Sequence, residues 1–259
     1  MATPQTARLS DDELGRLFNL LQDADTVELK LTVPESDRGS TVEALKIDPL
    51  DASIRQVYFF DTPGLDLFDQ GVVVRARRTQ GKPDDSVIKL RPVIPNELSE
   101  DLRDQEGFGV EVDAMPGGFV CSASYKGSIP AGRVRDAMEG TEPLHKLFSK
   151  KQRAFFSEQT SAAVDMNSLS ILGPVMVFKL KFFPEGFKRR IVVEQWNYPD
   201  GSRILELSTK CLPSEAFQVA AETKVFLNER GVNVSAEQST KTRTALDFFA
   251  AALRENQGP

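Results

Sequence analysis

The feature that most constrains the fold of this chain is a repeated pair of charged residues two positions apart, on segments that otherwise have strand character. Between residues 71 and 77, small apolar side chains take one face, while Arg75 and Arg77 take the other. Such pairs normally mark the solvated face of a sheet. Because the pattern recurs on strand after strand, it also fits a closed barrel whose apolar face packs outward against helices and whose charged face lines the interior.

The charged positions carry more basic than acidic residues, although the whole chain has a net charge of -6. They are Lys30, Arg75, Arg77, Lys89, Arg91, Lys151, Arg153, Lys179 and Lys181, with Glu28, Glu111, Asp113, Glu194 and Glu206. An interior of this balance suits a polyanion held by lysine and arginine, with carboxylates left to hold a hard divalent cation. The alternative is a one-sided sheet with ion pairs between strands. The net charge gives no reason to expect nucleic acid as a partner.

The order of predicted elements is one helix, many strands and two helices, which we interpret as one domain over 1–259. The predicted helices are 9–23, with a capping box at Ser10 and Glu13, then 214–230 and 240–254. Shorter helices are expected over 133–138 and 144–148, and a loop over 92–107. The predicted strands are 26–33, 42–48, 54–60, 71–78, 86–91, 108–114, 150–156, 161–167, 175–183, 189–197 and 203–210.

Several classes of protein are not expected. The two cysteines, Cys121 and Cys211, form no Cys-x-x-Cys pair, and the single His145 cannot support a multi-histidine metal site. No apolar run is long enough to span a membrane, and the first ten residues lack the order of a secretory signal. We therefore expect a cytoplasmic protein without a membrane partner.

A longer ordered run links the charged strands to a known family. Tyr58-Phe59-Phe60-Asp61-Thr62-Pro63-Gly64-Leu65-Asp66-Leu67 is followed by Gly71-Val72-Val73-Val74-Arg75-Ala76-Arg77-Arg78 and by Lys89-Leu90-Arg91. This run resembles the CYTH superfamily, the triphosphate tunnel metalloenzymes, which include thiamine triphosphatases, inorganic triphosphatases and class IV adenylate cyclases. The resemblance extends more weakly over 26–210. It implies an α+β fold: an eight-stranded antiparallel closed β-barrel, or tunnel, with a charged interior and helices at both termini.

The resemblance also implies roles for particular residues. Glu28 and Lys30 match the Glu-x-Glu-x-Lys of the family's first strand, whereas Thr26 replaces its first acid, and Ser208 replaces an acid on the last strand. Glu28, Glu111, Asp113 and Glu206 would bind Mg²⁺ or Mn²⁺, and Glu194 would bind metal or position water. Catalytic roles fall to Glu28, Lys30 and Glu194. The basic residues named above, Lys30 among them, would bind substrate.

The leading prediction is divalent-metal-dependent hydrolysis of a triphosphate-containing small molecule: inorganic triphosphate, or a nucleoside or thiamine triphosphate. Loss of acids at Thr26 and Ser208 favours an alternative, a non-catalytic polyphosphate or nucleotide-binding protein that retains the basic interior. Adenylate cyclase is a third interpretation, which ranks lower because nothing in the sequence marks a base pocket. The substrate, the number of metal ions and the oligomeric state are not predicted.

Overall fold

The alternating strands close into a barrel in a computed structural model, which describes residues 10–161, 164–234 and 241–256. Nine strands of these residues form the barrel: β1 (Thr26–Val33), β2 (Ser53–Asp61), β3 (Val72–Thr79), β4 (Asp84–Leu90), β5 (Phe108–Met115), β6 (Gly118–Ile129), β7 (Ser170–Phe182), β8 (Ile191–Asn197) and β9 (Arg203–Cys211). Their order is β1-β5-β6-β4-β3-β2-β7-β8-β9, and pairing of β9 with β1 closes the barrel.

The closed α+β barrel is confirmed, but the prediction of eight strands, all antiparallel, is wrong in both respects. The strand that the sequence did not predict is β6. Its central residues, Cys121-Ser122-Ala123-Ser124, are all small and lack the alternation of apolar and polar residues that indicates a strand. β1 and β5 run parallel, with Glu28 opposite Asp113. The other neighbouring pairs are antiparallel, among them β8 and β9, which are joined by a short turn.

The helices of the described residues are α1 (Asp11–Gln22), α2 (Arg38–Ala44), α3 (Asp66–Asp69), α4 (Glu100–Arg103), α5 (Arg133–Met138), α6 (Lys150–Gln159), α7 (Ala216–Glu229) and α8 (Lys241–Asn256). The predicted terminal helices are confirmed, and Ser10 and Glu13 form the expected capping box. Residue 240, the predicted start of the last helix, lies outside the described residues. Within the described ranges, no helix is both long and apolar enough to cross a membrane.

Three predicted strands are wrong. Residues 42–48 form the end of α2 and a turn, and the described part of 161–167 contains a 3-10 turn at Met166–Ser168. Residues 150–156 belong to α6, which begins at a capping box between Ser149 and Gln152. The expected helix over 144–148 is a 3-10 turn, Leu144–Leu147, and the loop over 92–107 contains α4 and a 3-10 turn.

The outer face of the barrel forms the core with the helices. In β3, Val72, Val74 and Ala76 pack in one cluster with Val134 of α5 and Phe155 of α6. Because successive side chains of a strand point to opposite faces, Arg75 and Arg77 point into the barrel. The apolar-out, charged-in interpretation of the strands is therefore the one that the fold realises.

Helix α8 packs against one end of the interior. Phe59 lies opposite Arg75 and therefore shares the interior face, as does Trp196, two residues from Glu194. Both rings belong to one buried cluster with Ala245, Leu246 and Ala250 of α8. The interior thus has an apolar end under α8, and its charged part lies beyond the two rings.

Candidate functional site

An acidic cluster lies inside the barrel where β1 and β5 run side by side. Glu28, Glu111 and Asp113 each offer a carboxylate oxygen, and these three oxygens lie within 4.8 Å of one another. The parallel pairing creates the cluster, since it sets Glu28 opposite Asp113 and Thr26 opposite Glu111. Three carboxylates at this spacing fit a hard divalent cation, which prefers oxygen ligands. The donor chemistry therefore suits Mg²⁺ or Mn²⁺ at this point.

Basic side chains of this chain already contact the acidic cluster. Lys30 Nζ lies 2.7 Å from Asp113 Oδ1 and 3.2 Å from Glu28 Oε2. Lys89 and Arg91 also pair with Asp113, which is fully buried. Burial opposes the charge of Glu28, but its lysine neighbours, with Lys30 the foremost, lower the pKa of Glu28 to about 2. Glu28 is thus ionised at neutral pH, and a metal ion in this cluster would share it with these ammonium groups.

A lysine that the sequence analysis missed completes this cluster. Lys210 Nζ pairs with Glu111 and lies 3.9 Å from Glu28 Oε2. It stands opposite Glu28 in the β1–β9 ladder. The signal in the sequence is its spacing, because Glu206, Ser208 and Lys210 alternate along β9 and so share the interior face.

The two residues that depart from the family pattern are hydroxyls bound to the remaining acids. Thr26 Oγ1 donates a hydrogen bond to Glu111 Oε2 at 3.2 Å. Ser208 Oγ donates one to Glu28 Oε1 at 3.0 Å. At each position a hydroxyl replaces the expected carboxylate and orients a neighbouring one. The cluster therefore holds three acids.

The other two predicted acids form a separate group with α8. Glu194 and Glu206 lie opposite each other on β8 and β9, and Lys241, the first residue of α8, pairs with both. Glu194 also pairs with Lys179 and accepts a hydrogen bond of 3.3 Å from Trp196 Nε1. Glu206 is thus outside the three-acid cluster, and no sequence signal had indicated Lys241.

The charges of this second group depend on one another. Burial opposes the charge of Glu194, but Lys241 and Lys179 hold the pKa of Glu194 well below its usual value. Burial likewise opposes the charge of Lys241, and Glu194 with Glu206 raises the pKa of Lys241. Burial lowers the pKa of Lys179 to about 8, although Glu194 acts in the other direction. Both oxygens of Glu194 are engaged, so in this arrangement Glu194 is not free to position water.

The opposite wall carries guanidinium groups without carboxylate partners. The Nε atoms of Arg55, Arg75 and Arg91 are buried and have no hydrogen-bond partner. Arg91 pairs with Asp113 and Arg77 pairs with Asp85, whereas Arg55 and Arg75 are in none of the ion pairs of the described residues. Burial, together with the like charge of Arg77, lowers the pKa of Arg75. Buried donors of this kind are rare without a partner, and an anion is the kind of ligand that they could bind.

The structure separates the predicted basic residues into three locations. Arg75, Arg77, Lys89 and Arg91 line the interior with Lys30 and Lys179, and Lys181 lies exposed at the end of β7. Lys151 and Arg153 lie on α6, outside the barrel, so the lumen position inferred from strand 150–156 is wrong. Arg153 instead donates a hydrogen bond of 2.7 Å to the carbonyl oxygen of Phe148. Arg55 was missed because it stands alone on its strand.

Solved structures with this architecture are known. One is HpAC1 of Hippeastrum, described as an adenylyl cyclase candidate with a dominant triphosphatase activity; it is 17% identical, with 86% of this chain and 96% of that chain covered and a TM-score of 0.64. Another is an adenylate cyclase candidate of Bacillus halodurans, 13% identical, with 85% and 97% covered and a TM-score of 0.58. The sequence matches no protein-family model and no curated protein. At this identity the likeness establishes the fold alone, which is the closed barrel that the resemblance implies.

Proposed function

We propose that this protein binds the triphosphate group of a small molecule in its interior and hydrolyses it with Mg²⁺ or Mn²⁺. The observation that carries the proposal is the facing pair of walls: buried, unpartnered arginines on β2 and β3, and three carboxylates on β1 and β5. A triphosphate needs both, since its charge must be neutralised and its phosphoryl oxygens polarised. Inorganic triphosphate, a nucleoside triphosphate and thiamine triphosphate all carry this group.

The residues divide the work between them. Arg75 and Arg77 would bind the phosphate oxygens, and Lys89 and Arg91 would move from Asp113 to the incoming anion. Glu28, Glu111 and Asp113 would hold the metal ion, which supplies Lewis acidity at a phosphoryl oxygen. Lys30 stands between Glu28 and Asp113, so it can balance the charge of the cluster before and after substrate binds. Release of Glu194 from Lys241 or Lys179 would be needed before it could position water.

A second function, binding without hydrolysis, is favoured by the state of the remaining acids. Lys241 neutralises Glu194 and Glu206, and hydroxyls stand at Thr26 and Ser208. A polyphosphate or nucleotide sensor would need the arginines and no free carboxylate. Adenylate cyclase is the third candidate, and it would release pyrophosphate and a cyclic nucleotide. In all three cases the proposed ligand is a small anion. The cytoplasmic location stays a prediction.

The deciding experiment incubates the purified protein with inorganic triphosphate, ATP or thiamine triphosphate, in Mg²⁺, Mn²⁺ or excess chelator. Phosphate, pyrophosphate and cyclic AMP are measured, and binding is followed by calorimetry. Metal-dependent release of phosphate supports the proposal. Binding without release supports the sensor, and cyclic AMP with pyrophosphate supports the cyclase. Absence of any binding contradicts all three.

Two double variants assign the walls. Arg75→Ala with Arg77→Ala should abolish anion binding, because it removes the two neighbouring guanidinium groups of β3. Glu28→Gln with Glu111→Gln should abolish the divalent-dependent activity, because it removes two of the three carboxylates of the cluster. The control is Glu158→Gln with Glu229→Gln, which removes the same charge from two exposed helical positions. Unchanged activity in the Glu28 and Glu111 variant would show that the metal assignment is wrong.

A further inference from the structure

Among the described residues, Lys210 is the most exposed of the four cations that contact the acidic cluster. The side chain of Lys210 is 43% exposed, and those of the other three are less so: Lys30 at 14%, Lys89 at 24% and Arg91 at 28%. These three all contact Asp113. Lys210 instead pairs with Glu111 and lies 3.9 Å from Glu28 Oε2. One ammonium group thus holds the cluster from its solvent side.

The acidic cluster carries no excess negative charge before any divalent ion binds. Burial lowers the pKa of Lys89 well below its usual value, so this amine contributes least to the charge balance. Even without Lys89, the charges of Lys30, Arg91 and Lys210 match those of the three carboxylates one for one. A divalent ion added to this arrangement would give the cluster a net positive charge, which is unfavourable among partly buried groups. One of the present cations therefore has to withdraw when the ion binds.

Lys210 is the cation that can withdraw at the least cost. Lys30 and Arg91 contact Asp113, which is fully buried, and removing either would leave that carboxylate with fewer partners. Lys210 reaches the partly exposed carboxylates of Glu28 and Glu111 through a flexible stem, so its ammonium group can return to water by rotation of that stem. As long as no anion is bound, Lys210 is thus the exchangeable partner of the cluster.

A buried oxygen of Asp113 could take up the incoming ion. Asp113 Oδ1 lies 2.7 Å from Lys30 Nζ, yet it is buried and accepts no hydrogen bond from the described residues. Buried polar atoms without a hydrogen bond are rare, and a carboxylate oxygen is the kind of ligand that a hard cation prefers. The cluster therefore still offers an oxygen to a divalent ion once Lys210 leaves.

We propose that Lys210 occupies the acidic cluster of the metal-free protein as an exchangeable cation and withdraws to solvent when the cluster binds a divalent ion. The inference rests on the proposed function, since the ion is the one proposed there for hydrolysis. Breaking the contacts of Lys210 subtracts from the affinity for the ion, so this lysine sets how tightly the cluster holds metal. Lys210 lies among the acids, away from the arginine wall, and makes no contact with the triphosphate.

The test measures Mn²⁺ binding to the full chain without substrate, by calorimetry and by the electron paramagnetic resonance signal of the free ion. Lys210→Met should bind Mn²⁺ about tenfold or more tightly than wild type, because no ammonium group competes for Glu28 and Glu111. Lys210→Arg keeps the charge, so its Mn²⁺ affinity should stay within about threefold of wild type. Lys224→Met removes an exposed lysine of α7 and is the control.

A second measurement separates this role from direct binding of the anion. Inorganic triphosphate is titrated into wild type and Lys210→Met by calorimetry in excess chelator. The two affinities should agree within about twofold, because the arginine wall is intact in both proteins. A loss of about tenfold in the variant would place Lys210 in the anion site and overturn the exchange.

The other outcomes distinguish this inference from the proposed function. Equal and measurable Mn²⁺ affinities of wild type and Lys210→Met overturn the exchange and leave the proposed function standing. Tighter binding by Lys210→Arg, to the same extent as by Lys210→Met, also overturns it, since the charge would then be irrelevant. Absence of Mn²⁺ binding by both wild type and Lys210→Met at millimolar concentration overturns this inference together with the metal part of the proposed function.

A second neutral variant guards against misfolding of the first. Lys210→Gln also removes the ammonium group, but it keeps a polar side chain at this exposed position. It should raise the Mn²⁺ affinity by about as much as Lys210→Met does, because the lost charge is the same. An unchanged Mn²⁺ affinity in Lys210→Gln contradicts the proposal even if Lys210→Met does not fold.

Discussion

Lys241 Nζ lies 2.6 Å from Glu206 Oε1, and the same ammonium group pairs with Glu194. This contact joins the first residue of α8 to two strands inside the barrel. It also pairs a lysine with the two carboxylates for which the sequence predicts a catalytic and a metal-binding role. The apolar residues of α8 pack on Phe59 and Trp196, so the helix and its lysine are held as one unit. Helix α8 thus supplies an ammonium group that pairs with two of the buried carboxylates of the interior.

We expect Lys241→Met to destabilise the protein by about 3 kcal/mol, because it leaves Glu194 and Glu206 buried with Lys179 as the one remaining ammonium partner among the contacts described here. Urea unfolding measures the loss. Mg²⁺ should restore part of the stability in the variant, since the two released carboxylates can then share a divalent ion. Lys224→Met, on the exposed side of α7, is the matched control. Equal stability of wild type and Lys241→Met would mean that the ion pairs contribute nothing.

The sequence predicted this half of the interior only in part. Alternation placed Glu194, Glu206 and Lys179 on one face, and all three lie there. It gave no indication of Lys241, because a residue at the start of a helix acquires its partners from tertiary packing. The parallel pairing of β1 and β5 could not be predicted from alternation either. Alternation fixes which face a side chain takes, while the choice of neighbouring strand depends on the whole chain.

We expect the free energy of unfolding to fall as the pH drops from about 5 to about 2, in excess chelator. The pKa of Glu28 is about 2 in the folded protein, against 4.5 for an ordinary glutamate. Between these values the unfolded chain binds more protons than the folded one, so acid favours unfolding. The full shift corresponds to about 3 kcal/mol. Urea titrations at a series of pH values measure it.

The control for this pH effect is Glu28→Gln. The variant should be less stable than wild type at pH 7, since Lys30 and Lys210 lose a partner. Its free energy of unfolding should fall less steeply in acid than that of wild type. The difference in slope should correspond to at most about one fewer proton taken up on unfolding. Parallel pH profiles of the two proteins would contradict the depressed pKa of Glu28.

The segment 150–156 shows why some strands were predicted wrongly. Lys151 and Arg153 stand two positions apart, the spacing of charged residues that marks the true strands, and this spacing predicts that they extend the basic face. Ser149 and Gln152 form a capping box, the motif that also begins α1, and this motif indicates a helix. What settles the helix is tertiary: Gln152 is fully buried between α6 and the barrel. Local pattern and packing disagree at this point, and packing decides.

Gln152 should be a structural residue without a part in anion binding. Its side-chain amide donates to the carbonyl oxygens of Tyr125 at 3.0 Å and Ser86 at 3.3 Å, and its Oε1 accepts from Ser86 Oγ at 3.1 Å. Gln152→Ala leaves these buried groups unpaired and opens a cavity, so we expect a loss of about 3 kcal/mol in the free energy of unfolding. The triphosphate affinity of the folded variant should stay within about twofold of wild type, because α6 lies outside the barrel. Gln159→Ala, at the exposed end of α6, should change neither quantity. A large loss of affinity in Gln152→Ala at full stability would place α6 in the anion site and return Lys151 and Arg153 to it.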